Sequence, residues 1–197
     1  ICTDFRSEQG SDFTELTICV RDDPQPGLLS KIAGVLWALD INVHAAQVFT
    51  REQDQKIALD TLYVDFEGQQ LPEFKKHELH RELRRVLLGE QTLQELLERK
   101  RKSLPEQYQS RRVSILNDLS ESHSVVDIRA VDQPGLLYRM TAAFARLGWD
   151  IHSARVSTWG NEARDSFYVT EGGRKVGTDA DGVEGAVRRL EEALRQV

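Results

Sequence analysis

The sequence predicts an α+β protein of two ferredoxin-like βαββαβ units in tandem, the second lacking its own final strand. Two observations predict it. The first is an internal repeat: Gln25-Pro26-Gly27-Leu28-Leu29 returns as Gln133-Pro134-Gly135-Leu136-Leu137, an offset of 108 residues. Leu39, His44, Ala46, Val48 and Thr50 match Leu147, His152, Ala154, Val156 and Thr158 at that offset. Downstream the offset is 105, with Asp60, Tyr63 and Val64 matching Asp165, Tyr168 and Val169. Upstream it is 110, with Leu16, Ile18 and Val20 matching Val126, Ile128 and Ala130. Length changes therefore fall between elements, as two copies of one fold require. The second observation is that hydrophobic periodicity within each copy switches between two and a helical spacing in the order strand, helix, strand, strand, helix.

The elements of the first copy follow in order. Leu16, Ile18 and Val20 alternate with polar residues, which marks a half-buried strand. After a Pro-Gly turn, Leu28, Leu29, Ile32, Val35, Leu36 and Leu39 form one apolar stripe on a helix. The second copy repeats that stripe as Leu136, Leu137, Met140, Ala143, Phe144 and Leu147. Gly148 then stands where a helix C-terminus favours glycine, and the first copy has Asp40 there. Residues 42–50 and 150–158 read as second strands, and the His, Ala, Val and Thr that the copies share are expected on one strand face. Turns at 52–56 and 160–161 lead to third strands at 57–66 and 163–170. Second helices are expected over about 73–89 and 181–197. A short strand over 112–116 is expected to finish copy one, while copy two ends on a helix. The predicted division is an N-terminal extension 1–12, a first unit 13–118 that includes a basic linker 98–112, and a second unit 119–197. The second sheet's bare edge would invite pairing, by Ile1 to Arg6 or by a partner chain.

Composition narrows the function classes. A formal net charge of -6 argues against a general nucleic-acid binder, although the run Glu98-Arg99-Lys100-Arg101-Lys102 to Arg112 is locally basic. That run reads first as a solvated helix end and linker. Two cysteines in no metal-ligand spacing point to a reduced, cytoplasmic protein. No apolar run approaches the roughly 20 residues of a membrane span, and no signal-peptide pattern is present. The chain opens on Ile1-Cys2-Thr3 without methionine, so a piece of a longer protein is expected. No nucleophile–base pair, metal cluster or phosphate loop appears, and no cofactor is expected. His77 and His80 are three apart, not the four of a helical zinc pair.

Asp132-Gln133-Pro134-Gly135-Leu136-Leu137, followed by Leu147-Gly148-Trp149-Asp150-Ile151-His152, resembles the ACT domain family. With Val43-His44-Ala45-Ala46-Gln47-Val48-Phe49-Thr50, Ala58 to Val64 and Asp165 to Val169, the chain more closely resembles one setting of that domain. That setting is the C-terminal ACT pair of the bifunctional uridylyltransferase/uridylyl-removing enzymes that modify the signal protein PII. The resemblance covers about Glu15 to Val197. It implies an amino-acid-sensing regulatory module, with glutamine as the ligand. It also implies catalytic domains that this chain does not contain. A freestanding tandem ACT protein that acts by binding a partner, with or without ligand, is the alternative, and homodimerisation through ACT sheets is compatible with either.

Candidate ligand-binding residues lie at the strand-to-helix turns. Backbone N–H groups of Leu28 and Leu29, or Leu136 and Leu137, would be unpaired in the first helical turn and suit a carboxylate. Gly27 and Gly135 allow close backbone approach. Asp22, Asp23 or Asp132 could hold an ammonium or cap the helix, and Gln25, Pro26, Gln133 and Pro134 complete the turns. Asn42 and Asp150 stand where the resemblance places residues that reach a ligand between two ACT domains. A plain turn-and-cap role for these residues is the competing reading. The two extra residues in the first turn make Asp132 to Leu137 the cleaner expected site. His44 and His152 are expected in structural hydrogen bonds, and Asp60 and Asp165 in register-pinning bonds to Thr50 and Thr158.

Overall fold

A computed structural model describes residues 1–21, 25–52, 56–106 and 108–197. In chain order its elements are β1 (Cys2–Ser7), β2 (Thr14–Arg21), α1 (Leu28–Ala38), β3 (Ile41–Glu52), β4 (Lys56–Phe66), α2 (Glu73–Leu87) and α3 (Leu93–Arg99). The second half gives β5 (Ser110–Leu116), β6 (Ser124–Val131), α4 (Leu136–Arg146), β7 (Trp149–Trp159), β8 (Glu162–Glu171) and α5 (Gly182–Gln196). The strands form one antiparallel sheet in the order β1-β2-β4-β3-β7-β8-β6-β5. The two ferredoxin-like units thus share a merged sheet, joined where β3 pairs with β7 from Ala45↔Ser157 to Phe49↔Ser153.

Alternation along the strands decides which face the helices cover. Leu16, Ile18, Leu62, Val126, Ile128 and Phe167 are fully buried on one face. Their neighbours Phe49, Leu59, Tyr63 and Tyr168 lie exposed on the other. The buried apolar residues form one continuous core beneath all the helices. Within it Phe144 stacks on Trp149 at 5.8 Å and meets Phe167 edge-on at 4.9 Å. The leading helices of the two units, α1 and α4, pack against each other. Gly27 (φ 131) and Gly135 (φ 79) start them in backbone conformations that other residues rarely adopt. Asp40 (φ 58) and Gly148 (φ 71) end them alike, so the aspartate carries the left-handed turn that glycine carries in the repeat.

Edge strands correct the expected arrangement. The strand expected to finish copy one, β5, pairs with β6 and completes the second unit. The N-terminal strand β1 does not complete the second sheet; it pairs with β2 and completes the first. Each unit thus takes its outer strand from the chain ahead of it, in the place a trailing strand would fill. A further helix, α3, precedes the expected linker and overlaps only its first two residues, with a Thr92/Glu95 capping box at its start. Gly34 lets it approach α1, since a Cβ there would lie 2.4 Å from Leu93 Cδ2. Below α3, the buried Glu82 accepts from Gln91 and Arg99, both at 2.7 Å, and from Arg81 at 3.1 Å. Burial pushes this carboxyl up, and the hydrogen bonds from Gln91, Arg99 and Arg81 outweigh it and hold it low. The turn expected at 52–56 falls largely outside the described residues.

We propose that the second unit begins near β5 rather than at residue 119. A fragment of residues 108–197 is expected to unfold cooperatively on heating, followed by circular dichroism. A fragment of residues 119–197, stripped of β5, is expected to lose that transition or to melt roughly 10 °C or more lower.

Candidate functional site

Fusion at β3 and β7 sets each unit's turn against the other unit's leading helix. Two clefts related by the repeat result. One wall of the larger is the second unit's turn, Asp132 to Tyr138. Its opposite wall is the C-terminal half of α1 (Ala33, Leu36, Trp37, Asp40) with the start of β3 (Ile41 to His44). The smaller is built from Gly27 to Ser30 of the first turn, Thr141 and Ala145 of α4, and Trp149 to Ile151 of β7. Val48, Thr50, Ala58 and Asp60 line its remainder.

The clefts differ sharply in room. The larger holds about 480 Å³, within the range that takes a small ligand. The smaller holds about 20 Å³, space on the order of one water molecule. At the smaller cleft Lys56 donates to Asp150 at 2.9 Å, an ion pair across the two units. Trp149 is 1% exposed there, and its indole N–H has no hydrogen-bond partner among the described residues.

Polar groups of the larger cleft are differently engaged. Leu136 N–H, expected to be unpaired, donates instead to Gln133 O at 3.1 Å, because the tight Pro-Gly turn brings that carbonyl back to it. The Nε2 of Gln133 is buried with no partner among the described residues. Asn42 donates to Asp65 at 3.2 Å, and His44 Nε2 bonds the same carboxylate. Burial raises the Asp65 carboxyl, but the bonds from His44, Gly68 and Asn42 together hold it below the usual carboxylate range. In the repeat, His152 bonds Thr170 at 2.8 Å instead. Both histidines sit where the pairing of their strand with β4 or β8 shifts register, so neither continues the strand face shared by Ala46 and Val48, or Ala154 and Val156.

Residues 102–105, between α3 and β5, run close beside this cleft. Lys102 pairs with Asp40 and lies 4.7 Å over the Trp37 ring. A Cβ at Gly135 would lie 2.5 Å from Leu104 Cδ2 and 3.1 Å from the Trp37 ring. Arg139, 2% exposed, donates to Pro105 O at 2.5 Å and to Leu194 O at 2.8 Å, tying the crossing segment and the end of α5 to α4.

Of the residues expected at a ligand site, Asp132, Gln133, Pro134, Gly135, Leu136 and Leu137 are gathered in the larger cleft with Asn42. Gly27, Leu28 and Leu29 share the smaller one with Asp150. Asn42 and Asp150 thus each serve the turn of the opposite unit. Gln25 is exposed, Pro26 is half-buried, and neither lines a cleft; Asp22 and Asp23 lie outside the described residues. Trp37, Asp40 and Tyr138 were not anticipated. The repeat held the signal, because Ala33, Trp37 and Ile41 in one cleft match Thr141, Ala145 and Trp149 in the other. The Asp165 carboxylate accepts from Ser157 N–H at 3.2 Å, in place of the expected threonine. No group of three His, Cys, Asp or Glu residues among those described is placed to hold a metal ion, and no helix among them is long and apolar enough to cross a membrane.

Several curated relatives are similar to this chain. The bifunctional uridylyltransferase/uridylyl-removing enzyme of Rhodospirillum rubrum is 34% identical over 159 residues, covering 78% of this chain and 17% of the relative. Those of Bradyrhizobium sp. (strain ORS 278) and Rhodopseudomonas palustris are 35% and 36% identical, each covering 80% of this chain and 17% of the relative. The chain therefore spans about a sixth of the relatives it matches. No family model matches. Among solved structures, aspartate kinase from Synechocystis aligns with a TM-score of 0.46 at 15% identity, covering 92% of this chain and 27% of that one. The regulatory subunit of aspartate kinase from Thermus thermophilus aligns with a TM-score of 0.28 at 14% identity, covering 92% and 93%.

Asp165 generates a pH prediction. Burial pushes its carboxyl up to about 7, the Ser157 N–H opposes the rise, and Asp132 adds to it. Unfolded, the group ionises near 4. Between those values the folded chain holds the extra proton, so this group's contribution to stability is full below pH 4 and is lost as pH rises through 7. Asp165→Asn is expected to remove this contribution, on the order of a few kcal/mol between pH 4 and 8. Urea unfolding of both chains across that range measures it.

Proposed function

We propose that this chain, an ACT-fold region homologous to part of the bifunctional uridylyltransferase/uridylyl-removing enzymes, is an amino-acid-sensing regulatory module whose ligand enters the larger cleft. The observation that carries this reading is the unpartnered Gln133 amide at a roomy cleft between the two units. A buried donor without a partner is costly unless something accepts from it. The ligand carboxylate would sit on the N–H groups of Leu137 and Tyr138 in the first turn of α4, beyond the engaged Leu136 N–H, where the helix dipole favours negative charge. The carboxylate of Asp132, with the Asn42 side-chain oxygen, would take the ammonium. Glutamine is the first candidate, because its amide oxygen can accept from Gln133 Nε2.

Such a ligand touches both units at once. It binds tighter to the conformation in which α1 and the second turn are close, and shifts the equilibrium by that difference. Within a longer protein the shift would be read by catalytic domains as an altered balance between uridylyl transfer and removal, in the cytoplasm. A second reading, a module that acts through a protein partner, is favoured by the open sheet face, where Phe49 is 58% and Leu59 is 47% exposed.

Calorimetric titration with glutamine and a panel of other amino acids tests the first reading. Saturable binding by one of them is expected, and silence from all at millimolar concentration sinks it. Gln133→Ala is expected to weaken the binding about 3- to 10-fold, the worth of one hydrogen bond. Gly135→Val is expected to abolish it, because the new side chain would collide with Leu104 and Trp37.

A further inference from the structure

The chain's two cysteines are seventeen positions apart in sequence and directly opposite in space. Cys2 of β1 faces Cys19 of β2 in the antiparallel register. Residues so opposed have Cα atoms about 4.5 to 5.5 Å apart, inside the roughly 4.4 to 6.8 Å window of disulfides. Direct opposition also puts both side chains on one face of the sheet. Thr3, the next residue on β1, bonds His80 of α2, so the helices lie on its side and Cys2 is turned to the open face. Ile18, next to Cys19, is fully buried against the helices, which turns Cys19 to the open face as well. Both thiols are free; Cys2 is exposed and Cys19 half-buried.

We infer that Cys2 and Cys19 form a disulfide site that covalently locks the outer strand β1 onto the sheet under oxidising conditions. The oxidant is a small disulfide such as oxidised glutathione. The exposed Cys2 thiolate attacks one of its sulfurs, giving a mixed disulfide and releasing the first glutathione thiol. The Cys19 thiolate then attacks Cys2 Sγ, the intrachain S–S bond forms, and the second glutathione leaves as thiol. The two cysteine thiol protons end on the two glutathione molecules, and the small disulfide is reduced by the two electrons the cysteines lose. The other end of the sheet provides an internal contrast. The position matching Cys19 is Arg129, which faces Arg112 of β5, so the matching outer strand has no lock.

The test uses the full chain, treated with excess oxidised glutathione at pH 8 and compared with the reduced chain. The intact mass is expected to fall by two hydrogens, both free thiols to disappear, and the protein to stay monomeric on a non-reducing gel. Proteolysis should yield one peptide joining Cys2 to Cys19. Cys2→Ser and Cys19→Ser should each lose that product and carry a single glutathione adduct. Backbone amide exchange should slow in β1 on oxidation, with β5 unchanged. A chain carrying two glutathione adducts, disulfide-linked dimers, two surviving free thiols, or equal exchange behaviour in β1 and β5 would each overturn the inference.

Discussion

Everything at the candidate site depends on the pairing of β3 with β7. That contact runs over only five residue pairs, Ala45↔Ser157 to Phe49↔Ser153. On the helix-covered face it opposes Ala46 to Val156 and Val48 to Ala154, all nearly fully buried. Small and β-branched side chains there leave room for α1 and α4 to come together above the seam. The strands are antiparallel and the units are copies, so a near-twofold relation follows. It puts each turn against the other unit's helix end, which neither unit could arrange alone. The two clefts are consequences of the seam. Their inequality comes from side chains, with the Lys56–Asp150 pair and Trp149 at one and the Gln133 amide at the other.

Much of this was legible in the sequence because the repeat and the periodicity agreed. Apolar stripes in α1 and α4 named core residues such as Ile32, Leu36, Met140 and Phe144, all buried. The turns and their glycines were legible too, since few residues satisfy a positive φ. The outer strands were legible as a strand at 112–116 and a candidate at 1–6, but which edge each completes was not. Thr3 and Phe5 correspond to Val113 and Ile115 at the upstream offset of 110, but share no identity. An outer strand has one neighbour and one half-covered face, so its side chains are weakly constrained. Helix α3 was hidden by the charge around it, although Thr92 and Glu95 stand at capping-box spacing. The facing of each turn onto the other unit was legible only through the resemblance, at Asn42 and Asp150, for a different reason. Pairing between β3 and β7 is a tertiary choice that no local pattern specifies.

Charge placement supports this arrangement from below. Glu82 and Glu78 are drawn into the helical layer only because cations and amides reach them: Arg99 and Gln91 for the first, Lys75 and Lys100 for the second. Burial raises the Glu78 carboxyl, and its two lysine partners outweigh that and hold it low. These bonds anchor α3 to α2 and so fix where the following segment departs. Arg139 is a contrasting case. It is buried among backbone carbonyls of Pro105, Leu194 and Val197. Carbonyls at the end of α5 carry the negative end of its dipole, which suits a guanidinium.

The crossing segment between α3 and β5 is also a leash. Ten residues separate Arg99 from Ser110, a reach of roughly 35 Å when fully extended. Two bodies held that closely meet at an effective concentration on the order of millimolar. On this leash the five-pair seam and the α1–α4 packing above it need not be as strong as an interface between two free proteins. Tethering therefore keeps one half within reach of the other whatever the strength of the interface between them.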